Sequence, residues 1–240
     1  MLARCLPASD EFLPRPGTWP GDRSYRERIR FSSTRATSMA RKSLDDLPEI
    51  FVSTSEISYL ASKAVRAGKL RKLASRLYTK DLASEPESLV RRHLWTVIAG
   101  YFPGALIADR TAHEGAPAKD GSVFLISQGA QSDVALPGFT LRPRRGAPAQ
   151  QSDLPFRGVL HLTSPARTLL DNLVPSRSRG SISRTLTKAE IEIHLKTVLR
   201  RSGDTELSRL RNDARALAPI LHRERELAAL SQLVGALLHT

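Results

Sequence analysis

A chain of 240 residues with 40% apolar and 5% aromatic side chains can fill one core or two small ones. Its 37 basic and 24 acidic residues leave a formal charge of +13, a surplus that favours polyanionic partners, nucleic acid before anionic lipid. One cysteine, Cys5, rules out an internal disulfide. No apolar run reaches the roughly 18 residues of a membrane span, and Pro7, Asp10 and Glu11 interrupt any signal-peptide stretch, so a cytoplasmic protein with no membrane partner is expected.

Residues 1–42 are rich in turn formers (Pro7, Pro14, Pro16, Gly17, Pro20, Gly21) and lack periodicity, which predicts a disordered tail. Met39 stands just ahead of the first compact stretch and is an expected alternative start. A module over 43–82 follows. Leu44–Glu49 is short and broken by Pro48, so any helix there is degenerate. In 53–70, Ile57, Leu60, Ala61, Ala64 and Val65 recur at helical spacing, with Ser53 or Ser55 as expected cap and Gly68 as stop. The alternation of 70–79 predicts a two-stranded hairpin turning at Ala74-Ser75.

An α+β domain is expected over 83–175. Ser84 and Glu87 have capping-box character ahead of a helix that ends at Pro103-Gly104. A helical turn over Asp109–Glu114 precedes strands at 122–127, 139–144 and 158–163. Ser164-Pro165 then opens a helix that stops at Pro175. A basic, serine-rich linker at 176–186 leads to a helical segment over 187–240, where Thr187 and Glu190 form a second capping box. Further breaks are expected at Gly203 and Pro219. The fold class is therefore α+β: a degenerate winged helix-turn-helix, a small α+β domain and C-terminal helices.

Charge singles out one stretch. Between Ile57 and Lys80 lie Lys63, Arg66, Lys69, Arg71, Lys72, Arg76 and Lys80, and no acid, whereas Asp and Glu elsewhere are spread through the helices. A basic helix followed at once by a basic hairpin is the layout of a winged helix. Lysines and arginines on it would meet phosphates, which position a protein without reading bases. Base reading falls to Ser58, Ser62 and Arg66 on the outer helix face.

"SKAVRAGKLRKLASRLYT" (62–79) resembles the N-terminal winged helix-turn-helix of AbiEi-type antitoxins, from type IV toxin–antitoxin systems. "ALIADRTAHEG" (105–115) and "HLTSPARTLLDNL" (161–173) are similar, in the same order, to later segments of that family. The resemblance implies a DNA-binding domain that represses its own operon, joined to a domain needed for antitoxin action. Carried over by position, the DNA contacts are Ser62, Lys63, Arg66, Lys69, Arg71, Lys72 and Arg76. Ser164, Pro165, Arg167 and Leu170 are structural, with Arg167 paired to Asp171 four residues on. The middle and C-terminal regions are also similar to the segment ahead of a Fic domain in some bacterial proteins. The second reading is thus a non-catalytic regulatory region of a Fic-type AMP-transferase without its catalytic domain. The corresponding partners are the chain's own operator and a cognate toxin, or a Fic-domain protein.

Catalysis finds no support in the residues. Asp109, Glu114, Asp120 and Asp133 are available for metal-dependent cleavage, but none forms an acid-x-Lys pair on a strand. The six histidines (93, 113, 161, 194, 222, 239) lack ligand spacing, and His93 and His161 are expected to be half-buried and structural. There is no phosphate-cradling glycine loop and no HPFxxGNGR-like motif. No cofactor, metal or catalytic residue is expected.

Overall fold

The computed structural model describes residues 43–129, 131–176 and 182–238. The tail at 1–42, Met39 with it, and part of the linker (177–181) lie outside them. The first unit runs β1 (Ile50–Val52), α1 (Ser58–Arg66), β2 (Arg71–Ala74), β3 (Leu77–Thr79), with the strands ordered β1-β3-β2, all antiparallel. Leu44 and Leu47 form a turn that packs on the α1 cluster, so the element directly ahead of α1 is a strand. Among the described residues no helix precedes α1.

Helix α1 begins later than its apolar stripe suggested. Its N-cap is Ile57, without a side-chain bond, while Ser53 lies buried in the preceding loop. The end is as expected. Gly68 adopts φ +67, and the amides of Gly68 and Lys69 reach back to Val65 O and Ala64 O, a Schellman closure. The hairpin turns one residue later than expected, at Ser75-Arg76, with Arg76 at φ +62. That left-handed backbone is held from outside: Arg76 Nε donates to Ser53 O at 2.9 Å, its guanidinium lies over the Tyr101 ring, and the Tyr101 hydroxyl donates to Ser75 O. Burial pushes that phenol up to about 12.

Helices α2 (Pro86–Arg92) and α3 (Leu94–Tyr101) replace the single helix expected from Ser84, with a break at His93. The cap is Glu85, whose carboxylate accepts from Ser88 N at 2.8 Å, not Ser84. Both helices lie on one face of a mixed six-stranded sheet, ordered β6 (Val134–Leu136), β7 (Phe139–Arg144), β5 (Ser122–Ile126), β4 (Leu106–Ile107), β9 (Leu160–Leu162), β8 (Leu154–Phe156). Alternation along the strands sends Val123, Leu125, Phe139, Leu141, Leu160 and Leu162 to that face. Ile50 and Leu77 join the same cluster, so the core runs unbroken from the small sheet into the large one. Gly121 adopts φ +76 within this framework, and a Cβ there would stand 2.3 Å from Gly138 O, a close approach only glycine permits.

The opposite sheet face carries α4 (Asp109–Glu114) and α5 (Pro165–Leu173), both at their expected places. Ser164 caps α5 and Pro165 fills its first turn. Beneath them lies a buried chain of charges. Asp109, fully buried, accepts from Arg144 Nη2 (2.7 Å), Arg144 Nε (2.9 Å) and Arg184 Nη1 (3.2 Å). Asp171 lies 3.3 Å from Arg144 and 3.6 Å from both Arg167 and Arg223. Burial raises its pKa, against the pull of Arg144. The expected Arg167–Asp171 pair is therefore the looser of two contacts: Arg167 Nη1 meets Asp153 at 2.6 Å, and its Nη groups also donate to Ala147 O and Pro148 O.

The last helices are α6 (Lys188–Leu221) and α7 (Glu224–Leu238). The Thr187–Glu190 capping box forms in full. Gly203, at φ +76, kinks α6 where the break was expected, while Pro219 stays within its last turn and His222 ends it in the left-handed region. Leu169 and Leu170 of α5 pack with Leu195, Leu207, Leu210, Leu230 and Val234 of this pair. No described helix is long and apolar enough to cross a membrane.

Candidate nucleic-acid interface

Two periodicities decide where the basic side chains of 62–76 point. On α1, Ile57, Ala61 and Ala64 face inward against Phe51 and Leu70, so positions 59, 63 and 66 fall on the outer face. Lys63 and Arg66 are exposed there, in the last turn, where cations also suit the negative end of the helix dipole. Ser62 is half-buried at the flank. Ser58 is exposed, with its hydroxyl donating to Ser55 O. Lys69, just past the helix, is exposed as well.

On the hairpin, neighbours necessarily face opposite sides of the sheet. Lys72 pairs with Tyr78, which pairs in turn with Phe51, on the α1 side, and is exposed. Arg71 pairs with Thr79, which pairs in turn with Ile50, on the side that packs into the core. Its guanidinium donates to Ser84 O (2.5 Å) and Leu82 O (3.3 Å). Arg76 serves its own turn, as described above. Lys80 donates to Leu47 O (2.5 Å) and Asp45 O (3.1 Å). Of the seven residues proposed for DNA contact, the structure leaves Lys63 and Arg66 exposed in the last turn of α1, Lys69 exposed just past it and Lys72 exposed on the α1 side of the hairpin. Ser62 sits beside them, and Arg71 and Arg76 are tied into the frame. None of the four open cations forms an ion pair with a described residue.

One residue of this face went unnoticed in the sequence. Tyr59 is 78% exposed, four residues before Lys63 and seven before Arg66 on the same stripe. A large ring in open solvent beside two cations suits a phosphate or a base, with its hydroxyl as donor. The signal was available: an aromatic on the polar side of an amphipathic helix.

Elsewhere, His113 and His194 meet edge to face at 4.6 Å. Burial, with His194 and Arg110 adding to it, holds His113 down at about 4, and burial lowers His194 too. His93 is half-buried, 3.4 Å from Glu49, and His161 is half-buried on β9. Among the described residues no group of three or more His, Cys, Asp or Glu side chains is placed to hold a metal ion. Asp109 and Glu114, weighed for metal chemistry, are engaged by arginines.

Comparison with known protein families, curated proteins and solved structures finds no match to this chain.

Proposed function

We propose that this chain is a DNA-binding regulator of the antitoxin type, which lays the outer face of α1 against its own operator. The observation that carries the reading is the open quartet of Lys63, Arg66, Lys69 and Lys72 at the end of α1, with no acid nearby in sequence to neutralise it. The strand–helix–hairpin order and the β1-β3-β2 pairing support a winged-helix-like module. In it the turn at Thr54–Ile57 takes the place of the helix that usually precedes a recognition helix. Arg71, Arg76 and Lys80 stiffen the wing from behind, so the quartet is presented on a fixed frame.

The antitoxin part of the reading rests on the ordered resemblance of 62–79, 105–115 and 161–173 to AbiEi-type antitoxins. On that reading the sheet domain and the C-terminal helices serve a cognate toxin. Cytoplasmic residence follows from the role.

The test is titration of the full chain with duplex DNA from upstream of its own gene across a salt series. Four phosphate contacts give a log–log salt slope of about −3.6, from about −0.9 per contact on B-DNA. A slope indistinguishable from zero, or no shift of that duplex at low salt, would overturn the proposal.

A further inference from the structure

On the sheet face opposite α2 and α3, alternation along β7 aims Arg142 and Arg144 outward beside Phe124 of the paired strand β5. Arg145, one residue past β7, and Arg184, from the segment before α6, complete the ring. Together they line a cavity of about 470 Å³, within the size range of small-molecule sites. We propose that this cavity binds a small phosphate ester of about nucleotide size that also carries a hydrogen-bond donor.

Charge is the first argument. Among the described residues, four guanidinium groups line the cavity against a single acid, Asp133. Asp109 lies behind two of them, already shared between Arg144 and Arg184. Asp171, 3.3 Å from Arg144, is shared with Arg167 and Arg223 as well, so the surplus stays positive after all three acids are counted. Arg145 is exposed and forms no ion pair with a described residue. Burial presses the Arg184 pKa downward; Asp109 opposes it, and the nearby Arg144 adds to it.

Geometry is the second. The described bonds of Arg142 use Nε, to Ser122 Oγ at 2.9 Å, and Nη1, to Asp133 at 3.2 Å. Those of Arg184 use Nη1. These bonds hold both guanidinium groups in place and leave Arg142 Nη2, and Arg184 Nε and Nη2, without a partner among the described residues. The Arg184 guanidinium also lies 5.2 Å from the centroid of the Phe124 ring, which limits its sweep.

Gln131 supplies the third argument, and it concerns the rest of the ligand. Its Nε2 donates to Ser127 O (2.8 Å) and Gly129 O (2.9 Å), which fixes the orientation of the amide. Its Oε1 is then buried with no partner among the described residues, on a side chain that lines the same cavity. A buried acceptor left unpaired is costly, and a hydroxyl or amino group on the ligand would satisfy it. Inorganic phosphate keeps a P–OH at neutral pH, but only on the group that the arginines hold, whereas a larger ester places its donor apart from them.

The experiment is calorimetric titration of the full chain with inorganic phosphate, adenosine 5′-monophosphate and a ten-residue single-stranded oligothymidylate. The monophosphate is expected to bind at least 10-fold tighter than phosphate, and phosphate to compete with it. Arg145→Gln combined with Arg142→Gln weakens both by 10-fold or more. Gln131→Leu weakens the monophosphate severalfold and leaves phosphate unchanged. Binding of the oligonucleotide alone would overturn the small-ligand proposal and give the cavity to nucleic-acid backbone. No heat with any probe, or binding unmoved by the double arginine variant, would also overturn it. This inference is independent of the operator reading. Alanine at Lys63, Arg66, Lys69 and Lys72 leaves monophosphate binding intact, so the two fail separately.

Discussion

Arg167→Ala is expected to cost about 3–5 kcal/mol of unfolding free energy, the range for breaking a buried ion pair from one side. Arg167 is 1% exposed, and its Nη1 meets Asp153 at 2.6 Å. Removing the guanidinium strands the Asp153 carboxylate and weakens the neutralisation of Asp171, which other arginines only partly supply. It also frees Ala147 O and Pro148 O, the backbone that closes the 147–153 loop onto α5. Urea unfolding checks this. Arg167→Met paired with Asp153→Leu separates the two costs, since replacing a whole pair by apolar groups is far milder than halving it. That double variant should recover part of the loss, but not all. Asp153 also accepts from Ser164 N at 2.9 Å and from Gln150 N at 2.8 Å, and leucine leaves both amides unserved. A loss below about 1 kcal/mol for the single variant would show that the charge chain is not a structural unit.

Stability should fall as pH drops from about 6.5 toward 4, mainly through His113. Its imidazole titrates at about 4 in the fold, because burial, then His194 and Arg110, disfavour the charged form, while Glu190 partly opposes them. In the unfolded chain it titrates near the ordinary value of about 6.5. Between these values the unfolded state binds more protons, so unfolding is favoured as pH falls. The stabilisation is therefore fully present above the ordinary value and lost below it, on the order of 2–3 kcal/mol by pH 4. His194, also lowered by burial, adds in the same direction. Glu190, held down at about 2 by Arg110 and Thr187, adds its own loss only below about pH 5, where the unfolded chain begins to take up that proton. Denaturant midpoints measured at pH 7, 6, 5 and 4.5 should decline, and His113→Phe should flatten the decline. An unchanged profile in that variant would place the acid sensitivity elsewhere.

Local signals carried much of the fold. Ser164-Pro165 marked α5, Thr187 and Glu190 marked α6, and the left-handed stops at Gly68 and Gly203 fell where glycine predicted them. These features depend on a few neighbouring residues, and no distant part of the chain overrides them. The break at His93 has no such marker: no glycine or proline stands there, and the cap moved to Glu85 because its carboxylate reaches Ser88 N. The charge chain was illegible for a different reason. Asp109 meets Arg184 across 75 residues and Arg144 across 35, and no spacing rule links positions that far apart.

The candidate interface was half legible. The cluster of lysines and arginines was plain, and so was the alternation that forces Arg71 and Lys72 to opposite sides. Which side meets the core was not plain, because that depends on Ile50 and Leu77 joining the large sheet's cluster. With that known, the count of open phosphate donors falls from six basic residues to four. Tyr59 joins them by its place on the helix alone.

The most direct measurement compares two variants of the full chain on duplex DNA from upstream of its gene, across a salt series from low salt upward. In one, Lys63, Arg66, Lys69 and Lys72 are alanine. In the other, Arg71 and Arg76 are. Losing four phosphate contacts should weaken binding by about 100-fold and bring the salt slope near zero. The second variant should keep both the slope and, to within a few-fold, the affinity. Unaltered binding by the first variant, with or without loss by the second, would contradict the assignment of DNA binding to the open face of α1.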